Sequence, residues 1–505
     1  MKLTKALLSI FCTIILTLSV VPANAAGNLV AVTRIWGPLD IKLVRPIPKD
    51  RVLVISVTES APGNTQLQAD VVGTNGAYLT GFTFDAGTQV SDFLFTEESF
   101  VELKGGGYAF AWTHQDAGTP NEKNYMFFSY SKDGVTWSAK SKPLPAFDSS
   151  KFPWSSQGGY GYPALAVDGS GVLAIGYTVM ADTRSNTTVL QPVNVITTTN
   201  YKTWSAASTV NSTHSPNKAN YIRKIFGLPG GGFLVFWADQ VIATVSYSDL
   251  YVARLPKGKT KFEAASYLFR TSPEQIPLVN FVPQSATKFT LLLGHLNSTY
   301  RATLDYATYD SSSGKLGTFS TLGQLQENWF IKSKSASSTN STGVTSVIFT
   351  GSANDVFDSE MFRVQFFPGA AAPVFDRVFD FEVSDGDVYA ALVDADDNTQ
   401  VLYYSGWAFF RFGKIAGGQL VPGDQLPVAQ YGDYVSVAKK SNSDIVVFDQ
   451  AEWLGETKVI SYKLLRAPVV SAHTAVSGIS KVKQTLTAKV AKYFAADAPG
   501  TATIS

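Results

Sequence analysis

The chain has 505 residues and a formal net charge of +1, and charged residues make up 16% of it, against about 25% in a typical soluble domain. This near-neutral composition without a basic cluster excludes a nucleic-acid-binding protein, and no apolar run beyond the N-terminus is long enough to span a membrane. The aromatic content of 13% and the 40 glycines favour an all-β protein with many turns.

Residues 1–25 have the pattern of a secretory signal peptide. Lys2 and Lys5 form a basic start, Ala6 to Val21 is uncharged and apolar, and Ala23-Asn24-Ala25 is a small-residue cleavage site. A membrane anchor is the alternative, but an apolar core of about 16 residues is short for a span. Cys12, the sole cysteine, lies inside this segment, so the mature chain has no disulfide. We expect a secreted or extracellular protein at a bacterial cell surface, with no membrane insertion of the mature chain.

The body of the chain repeats one unit, in which a Gly-, Asp- or Asn-rich turn precedes an apolar strand. Examples are Gly105 to Gly107 before Tyr108 to Trp112, and Pro229 to Gly232 before Phe233 to Trp237. The units recur at intervals of about 43 to 65 residues, with about four strands in each, which is typical of a β-propeller. No amphipathic helical pattern separates them, so an all-β propeller over residues 26–466 is predicted.

The pattern gives eight four-stranded blades. Seven is the alternative, if the short unit from Phe381 to Lys414 is an insertion or a partial blade. The last unit, from Asp433 to Leu465, has only three strands, and Asn28 to Ile35 is predicted to supply the fourth. Such an N-terminal strand closes the ring and removes the open sheet edges.

Residues 467–505 differ in composition from the repeats. Ala467 to Ser471 and Val482 to Ala488 resemble the opening strands of a bacterial Ig-like repeat. An Ig-like sandwich needs about 100 residues, so this segment is predicted to be a partial repeat, with further Ig-like repeats in the full-length protein. A structured tail packed on the propeller is the alternative.

Two turns carry a family resemblance. Ser131-Lys132-Asp133-Gly134-Val135-Thr136-Trp137 resembles the Asp-box of sialidase-like (BNR-repeat) propellers, and a degenerate copy from Thr198 to Trp204 follows 67 residues later. Tyr162 to Gly171 resembles the first hairpin of a blade in the same family. The resemblance implies a sialidase-like propeller in which Asp-box residues are structural. We therefore expect Ser131, Asp133, Gly134, Trp137 and Trp204 to hold turns at the blade periphery rather than to bind ligand.

The sialidase catalytic set is not found. That family uses three arginines, a Tyr–Glu pair and an Asp, and its first arginine lies in an Arg-Ile-Pro motif. The nearest equivalent here is Arg45-Pro46-Ile47-Pro48, which has an extra proline. The resemblance therefore implies the fold without sialidase activity.

The fold predicts a site at one mouth of the channel, formed by the exits of the second strands and the entries to the blades. Aromatic rings with amide and carboxylate neighbours there are suited to sugars, although polar loops are also ordinary solvated loops. The candidate ligand-binding residues are His114, Asp116, Trp154, Tyr160, Tyr162, Asp182, Arg184, Tyr221, Arg223, Trp237, Asp239 and Trp329.

No cofactor is predicted. Asp394, Asp396 and Asn398, interpreted as another second-strand exit, have the spacing that begins a Ca²⁺ loop, but they lack its glycine and distal glutamate and a β-turn is expected there. The histidines are scattered without the spacing of zinc ligands.

The sequence favours a non-catalytic binding protein whose propeller presents a glycan- or protein-binding face, with Ig-like repeats as a stalk. The alternative is a glycan-active hydrolase or lyase with a non-sialidase catalytic set in the same mouth, in which case a glycoside hydrolase is expected. A purely structural module of a larger surface protein is the third possibility.

Overall fold

The computed structural model is built almost entirely of β-strands. It describes residues 28–34, 40–61, 64–73, 78–86, 90–116, 125–147, 159–180, 193–210, 218–241, 247–271, 278–285, 287–296, 301–327, 329–353, 359–381, 387–393, 397–405, 409–425, 434–439, 444–451 and 456–463, with four short strands between 469 and 494. The one helix in these ranges is a 3₁₀ turn, Glu97–Ser99, capped by Thr96. None of their helices is long and apolar enough to cross a membrane.

The strands group into consecutive antiparallel sheets, numbered here in chain order. Sheet 1 contains β2 (Asp40–Ile47), β3 (Arg51–Ala61), β4 (Asn64–Gly73) and β5 (Tyr78–Asp85); sheet 2 contains β6 (Val90–Leu94), β7 (Phe100–Glu102), β8 (Tyr108–Asp116) and β9 (Tyr125–Ser131). Sheet 3 contains β10 (Gly159–Tyr160), β11 (Ala164–Val167), β12 (Leu173–Met180), β13 (Val193–Thr198) and β14 (Ser208–Thr209); sheet 4 contains β15 (Lys218–Gly227), β16 (Gly232–Val241), β17 (Tyr247–Pro256) and β18 (Ser266–Thr271).

The remaining sheets continue the series. Sheet 5 contains β19 (Leu278–Pro283), β20 (Lys288–Leu296), β21 (Arg301–Asp310), β22 (Lys315–Leu316) and β23 (Ser320–Glu327); sheet 6 contains β24 (Trp329–Thr339), β25 (Thr345–Ala353), β26 (Ser359–Phe366) and β27 (Val374–Phe381). Sheet 7 contains β28 (Asp387–Val393), β29 (Thr399–Ser405), β30 (Phe409–Ala416) and β31 (Gln419–Gln425); sheet 8 contains β32 (Tyr434–Lys439), β33 (Asp444–Ala451), β34 (Glu456–Lys463) and β1 (Asn28–Arg34).

Sheet 8 joins the two ends of this series. Its fourth strand is β1, which pairs antiparallel with β34 from Asn28↔Lys463 to Arg34↔Lys458. Neighbouring sheets also touch through their first strands: β24 lies against β28, β28 against β32, and β32 against β2. The last sheet therefore contacts the first, as in the ring of a β-propeller.

Apolar side chains fill the gaps between consecutive sheets. One buried cluster joins sheets 1 and 2 around Trp112, another joins sheets 3 and 4 around Trp237, and a third joins sheets 5 and 6 around Phe349. Each of these three side chains is fully buried. Removal of a buried aromatic side chain costs roughly 3 to 5 kcal/mol, so the face-to-face packing of the sheets is a main source of stability.

The two ends of the sheets differ and are named here for what they carry. The hairpin end holds the turns between first and second strands, and the loop end holds the connections from second to third strands. At the hairpin end, Asp168 Oδ1 accepts hydrogen bonds from the backbone N–H groups of Ser170 and Val172, and Asp168 Oδ2 accepts one from Gly232 of sheet 4 at 2.7 Å. Gly169 donates to the carbonyl of Leu228. These bonds latch the first hairpin of sheet 3 to that of sheet 4.

The same latch recurs with an asparagine between sheets 6 and 7. Asn340 Oδ1 accepts hydrogen bonds from the N–H groups of Thr342 and Val344, and Asn340 Nδ2 donates to Asp397 Oδ1 at 2.7 Å. Asp397 has a φ of +62°, a left-handed conformation that aspartate tolerates in turns. In both cases one polar atom of the side chain forms hydrogen bonds within its own turn, and the other forms a hydrogen bond to the next sheet.

This latch corrects one prediction. The sequence interpretation placed the Asp394-x-Asp396-x-Asn398 segment at a second-strand exit. In the structure β28 is the first strand of sheet 7 and pairs with β29, from Asp387↔Tyr404 to Val393↔Thr399. Asp397 and Asn398, the described residues between these two strands, therefore lie at the hairpin end. First and second strands both consist of short apolar runs flanked by polar turns, so composition alone does not distinguish them.

The terminal segments add little to the described fold. The predicted signal peptide, residues 1–25, lies outside the described residues. In the tail, β35 (Val469–Val470) pairs with β38 (Tyr493–Phe494), and β36 (Ala475–Ser477) pairs with β37 (Thr487–Lys489). The Ig-like segment and the domain boundaries stay predictions.

Candidate functional site

The predicted ligand-binding residues are described to different extents. Trp154, Asp182 and Arg184, together with Asp394 and Asp396, lie outside the described residues. For Asp116, Tyr221, Arg223 and Trp329 the structure gives the strand position only, at or near the loop end of β8, β15 and β24. The side chains of His114, Tyr160, Tyr162, Trp237 and Asp239 are described.

Sheet 4 brings a polar row and an aromatic row together on one face near the loop end. Asp239 lies directly opposite Asp249 across β16 and β17, and Asp249 lies opposite Arg270 across β17 and β18. Directly opposed residues of an antiparallel pair share a face, with Cβ atoms about 4.5 to 5.5 Å apart. The polar row is therefore Asp239, Asp249 and Arg270.

The aromatic row lies beside the polar row and begins at Trp237, two residues before Asp239 on β16. Trp237 is opposite Tyr251, and Tyr251 is opposite Tyr267. The Trp237 and Tyr251 rings stack with centroids 5.6 Å apart, and Tyr267 meets Tyr251 edge-on at 5.6 Å. Exposure increases outward along the row, from 0% at Trp237 to 54% at Tyr267.

Hydrogen bonds and an ion pair hold the side chains of the polar row in place. The Arg270 guanidinium makes a two-pronged contact with the Asp249 carboxylate, Nε to Oδ1 at 2.8 Å and Nη2 to Oδ2 at 3.2 Å. The Trp237 indole N–H donates to Asp239 Oδ1 at 3.1 Å. Both carboxylates are buried, whereas 56% of the Arg270 side chain is exposed. Burial, followed by the nearby Asp239 and Asp249 charges, raises the pKa of Tyr251.

A second polar cluster lies between sheets 1 and 2. Asp85 Oδ2 is 3.1 Å from His114 Nδ1, and Lys140 Nζ donates to Asp85 Oδ1 at 2.6 Å. Burial alone would raise the pKa of Asp85, but the hydrogen bonds from His114 and Lys140 outweigh it and lower this pKa to about 2. The predicted site residue His114 is thus 7% exposed and bound to a buried carboxylate.

Lysines cover the aromatic side chains next to this cluster. Lys142 Nζ is 3.6 Å from the centroid of the Tyr125 ring, and Lys140 Nζ is 4.7 Å from that of Phe127. Such cation–π contacts contribute roughly 0.5 to 1 kcal/mol at an exposed site.

The two tyrosines at the entry to sheet 3 have different environments. Tyr160 is 8% exposed, and its hydroxyl donates to the carbonyl of Pro145 at 3.0 Å. Tyr162 is 45% exposed. Of these two predicted residues, only Tyr162 presents its ring to solvent.

Sheet 5 contains a histidine–aspartate pair near the loop end. His295 Nε2 lies 2.7 Å from Asp305 Oδ2. Burial would raise the pKa of Asp305, and the hydrogen bond from His295 leads the interactions that lower it instead. His295 lies on β20, and its partner is ten residues away on the next strand, β21.

The two predicted Asp-box turns lie at the hairpin end. Asp133 Oδ1 accepts hydrogen bonds from the N–H groups of Val135 and Thr136, both at 2.8 Å, and Ser131 Oγ accepts one from Gly134. Trp137 is 7% exposed and meets Phe84 of sheet 1 edge-on at 4.9 Å.

The degenerate copy has the same bonds. Asn200 Oδ1 accepts from the N–H groups of Lys202 and Thr203, and Thr198 Oγ1 accepts from Tyr201. Tyr201 has a φ of +60°, where Gly134 has +74°. Trp204 packs on Phe128 at 5.1 Å.

Among the described residues, no group of three or more His, Cys, Asp or Glu side chains is arranged to hold a metal ion. Asn398, half-buried, is the described member of the predicted Ca²⁺ segment. Calcium binding there stays a prediction.

Several residues of these clusters were not predicted from the sequence, namely Asp85, Lys140, Asp249, Tyr251, Tyr267 and Arg270. Lys140 follows the Asp-box turn and the other five lie on third and fourth strands, whereas the prediction considered second-strand exits and blade entries. An alternation of charged and aromatic residues, such as Asp249-x-Tyr251, was the available signal.

No protein-family model matches the chain, and no curated protein matches it. Among solved structures it is similar to a Hadza microbial sialidase, at 12% identity over 80% of this chain and 74% of that one, with a TM-score of 0.38. It is similar to an ulvan lyase, a polysaccharide lyase, at 9% identity over 73% and 90% of the two chains, with a TM-score of 0.43. It is also similar to an α-L-arabinofuranosidase from Fusarium graminearum, at 14% identity over 70% and 98%, with a TM-score of 0.39. Overlaps of this size carry no information about ligand or reaction.

Proposed function

We propose that this protein is a secreted, surface-displayed eight-bladed propeller that binds glycans at its loop end, without catalysis. The observation that carries the proposal is the pair of rows on sheet 4, where Tyr267 and Arg270 reach solvent beside buried partners. The blade number is supported by the series of sheets 1 to 8 and by the pairing of β1 with β34.

The two rows supply what a sugar needs. An exposed tyrosine ring stacks on the CH face of a pyranose, and the exposed Arg270 guanidinium pairs with its hydroxyls. Asp249 fixes the guanidinium of Arg270 through two bonds, so little side-chain freedom is lost on binding. An extracellular protein ligand is the other partner that such a face accommodates, and it is an outcome of the test below.

The test is a screen of the purified protein on a glycan array, followed by titration calorimetry with the best ligand. Tyr267→Ala is expected to weaken binding roughly tenfold, since loss of an aromatic platform costs about 1.4 kcal/mol. Tyr78→Ala is the matched control, because Tyr78 is 51% exposed at the hairpin end of sheet 1. Absence of any glycan ligand, or equal effects of the two variants, contradicts the proposal.

A glycan-active hydrolase or lyase is the second candidate. The directly opposed Asp239 and Asp249 favour it, because glycoside hydrolases use a pair of carboxylates. A panel of polysaccharides incubated with the wild type and with Asp249→Asn separates the two functions. Turnover that is lost in this variant, or in Asp116→Asn or Asp182→Asn, establishes an enzyme and overturns the binding proposal.

The remaining organisation is proposed as follows. Residues 1–25 are removed on export, residues 26–466 form the propeller, and residues 467–505 form part of an Ig-like stalk. N-terminal sequencing of the exported protein tests the first point, and a mature chain that still carries the N-terminal lysines contradicts it.

A further inference from the structure

A pocket of about 330 Å³ opens between sheets 5 and 6 at the hairpin end, on the side opposite to the proposed glycan face. Its walls are strands β20 and β21 of sheet 5 and the hairpin that joins β26 to β27 of sheet 6. The volume lies at the lower limit of the range typical of small-molecule sites.

The pocket exists because apolar packing between the two sheets stops partway along β20. Leu292, Thr290 and Lys288 alternate along one face of this strand, which points toward sheet 6. Leu292 is fully buried in the cluster shared with sheet 6, Thr290 is 7% exposed and Lys288 is exposed. Thr290 lies opposite Thr308 of β21. Two threonines therefore stand where larger apolar side chains would fill the space between the sheets.

The facing hairpin of sheet 6 leaves the space open. Its sequence is Phe367-Pro368-Gly369-Ala370-Ala371-Ala372-Pro373, so every side chain after Phe367 is small: a hydrogen atom, methyl groups or a proline ring. Gly369 has a φ of +77°, which the tight turn requires. Phe366, 3% exposed, and the half-buried ring of Tyr306 form apolar parts of the lining.

The lining is part polar and part apolar, and it carries one charge among the described residues. Thr290 and Thr308 present hydroxyls, Gln284 presents an amide, and Lys288 is the charged residue of the lining that the structure describes. Asp310, which lies opposite Lys288, is not part of this lining. Its carboxylate accepts hydrogen bonds from the backbone N–H of Ser312 at 2.8 Å and from the Ser312 hydroxyl at 2.6 Å.

We propose that this pocket binds a single sugar acid, a pyranose that carries a carboxylate, as a second ligand site separate from the loop end. The Lys288 ammonium pairs with the carboxylate, the two threonine hydroxyls and the Gln284 amide bind the ring hydroxyls, and the Tyr306 and Phe366 rings contact the CH face. This site does not depend on the function proposed for sheet 4.

The test uses glucuronate and glucose as probes, with binding to the full chain followed by ligand-observed NMR. Glucuronate is expected to bind saturably, and Lys288→Gln is expected to weaken it roughly tenfold while leaving any glucose binding unchanged. Lys259→Gln is the matched control, because Lys259 is an exposed lysine of a sheet 4 turn. Thr290→Val, which keeps the side-chain volume, is expected to weaken both sugars.

Unfolding midpoints of the variants show whether each one is folded. Tyr267→Ala is expected to leave glucuronate binding at this pocket unchanged, so a failure of the loop-end proposal does not affect this result. Absence of saturable glucuronate binding, or equal effects of Lys288→Gln and Lys259→Gln, overturns the proposal. Equal binding of glucose and glucuronate overturns the assignment of a sugar acid.

Discussion

Asp70 offers a direct test of how burial controls stability in this fold. It lies in the middle of β4, opposite Val54 and Gly81, and only 8% of it is exposed. Burial raises the pKa of Asp70 from 3.8 to about 6. The folded protein therefore holds a proton that the unfolded chain has already released between about pH 4 and pH 6. The stability that protonated Asp70 contributes is fully present below pH 3.8 and is lost as the pH rises through about 6.

The magnitude follows from the shift. A difference of about two pKa units corresponds to roughly 3 kcal/mol, since each unit is about 1.4 kcal/mol. Asp70→Asn keeps the shape of the side chain but never carries the charge. The variant is therefore expected to have a higher free energy of unfolding than the wild type near neutral pH, by roughly 2 to 3 kcal/mol, with most of the difference gone at about pH 4.

Urea unfolding of the wild type and Asp70→Asn at about pH 4 and about pH 7.5 measures this difference. Asp85→Asn is the counterpart, because the pKa of Asp85 is lowered to about 2. A variant at position 70 that is less stable than the wild type at the higher pH, or a difference independent of pH, would refute the reasoning.

Three further predictions concern other contacts. Asp85→Asn is expected to lower the free energy of unfolding by about 2 kcal/mol at neutral pH, with the loss fading as the pH falls toward 2, and acid titration of both proteins checks this. Gly169→Ala places a methyl carbon 1.7 Å from the Pro229 carbonyl oxygen and is expected to lower the free energy of unfolding by about 3 kcal/mol or more. Gly230→Ala is the control, because the space around Gly230 is open, and it is expected to change stability by less than about 0.5 kcal/mol. Equal melting temperatures of the two variants would contradict the close contact between the hairpins of sheets 3 and 4. Asp133→Ala removes two backbone hydrogen bonds and is expected to cost roughly 1 kcal/mol without any change in glycan binding, so a loss of affinity would show that this turn is not merely structural.

Much of the fold could be predicted from the sequence because its signals are local. Turns such as Asp168 to Gly171 need an acceptor side chain and a glycine with positive φ within four residues, and both are visible in the sequence. The predicted pairing of Asn28 to Ile35 with the last unit matches the pairing of β1 with β34, because a three-strand unit leaves one edge to fill.

The candidate site was less predictable, because its residues meet through cross-strand register. Trp237 was predicted as a ligand-binding residue from its position at a strand exit, yet its ring lies fully buried between sheets 3 and 4. The side chains that do reach solvent, Tyr267 and Arg270, lie on the fourth strand. Exposure depends on which sheet packs against a strand, and a single strand does not carry that information.

The sequence by itself determined the strands, the turns and the closing strand, since these follow from side-chain conformation and hydrogen bonding over a few residues. The tertiary structure decided which polar groups face one another. In a regular strand Tyr267 and Arg270, three residues apart, would point to opposite faces. The irregular pairing of β18 with β17 between Leu250 and Tyr251 adds one residue and brings both onto the same face, beside Tyr251 and Asp249. That bulge arises from pairing with a neighbouring strand, so no pattern within β18 alone specifies it.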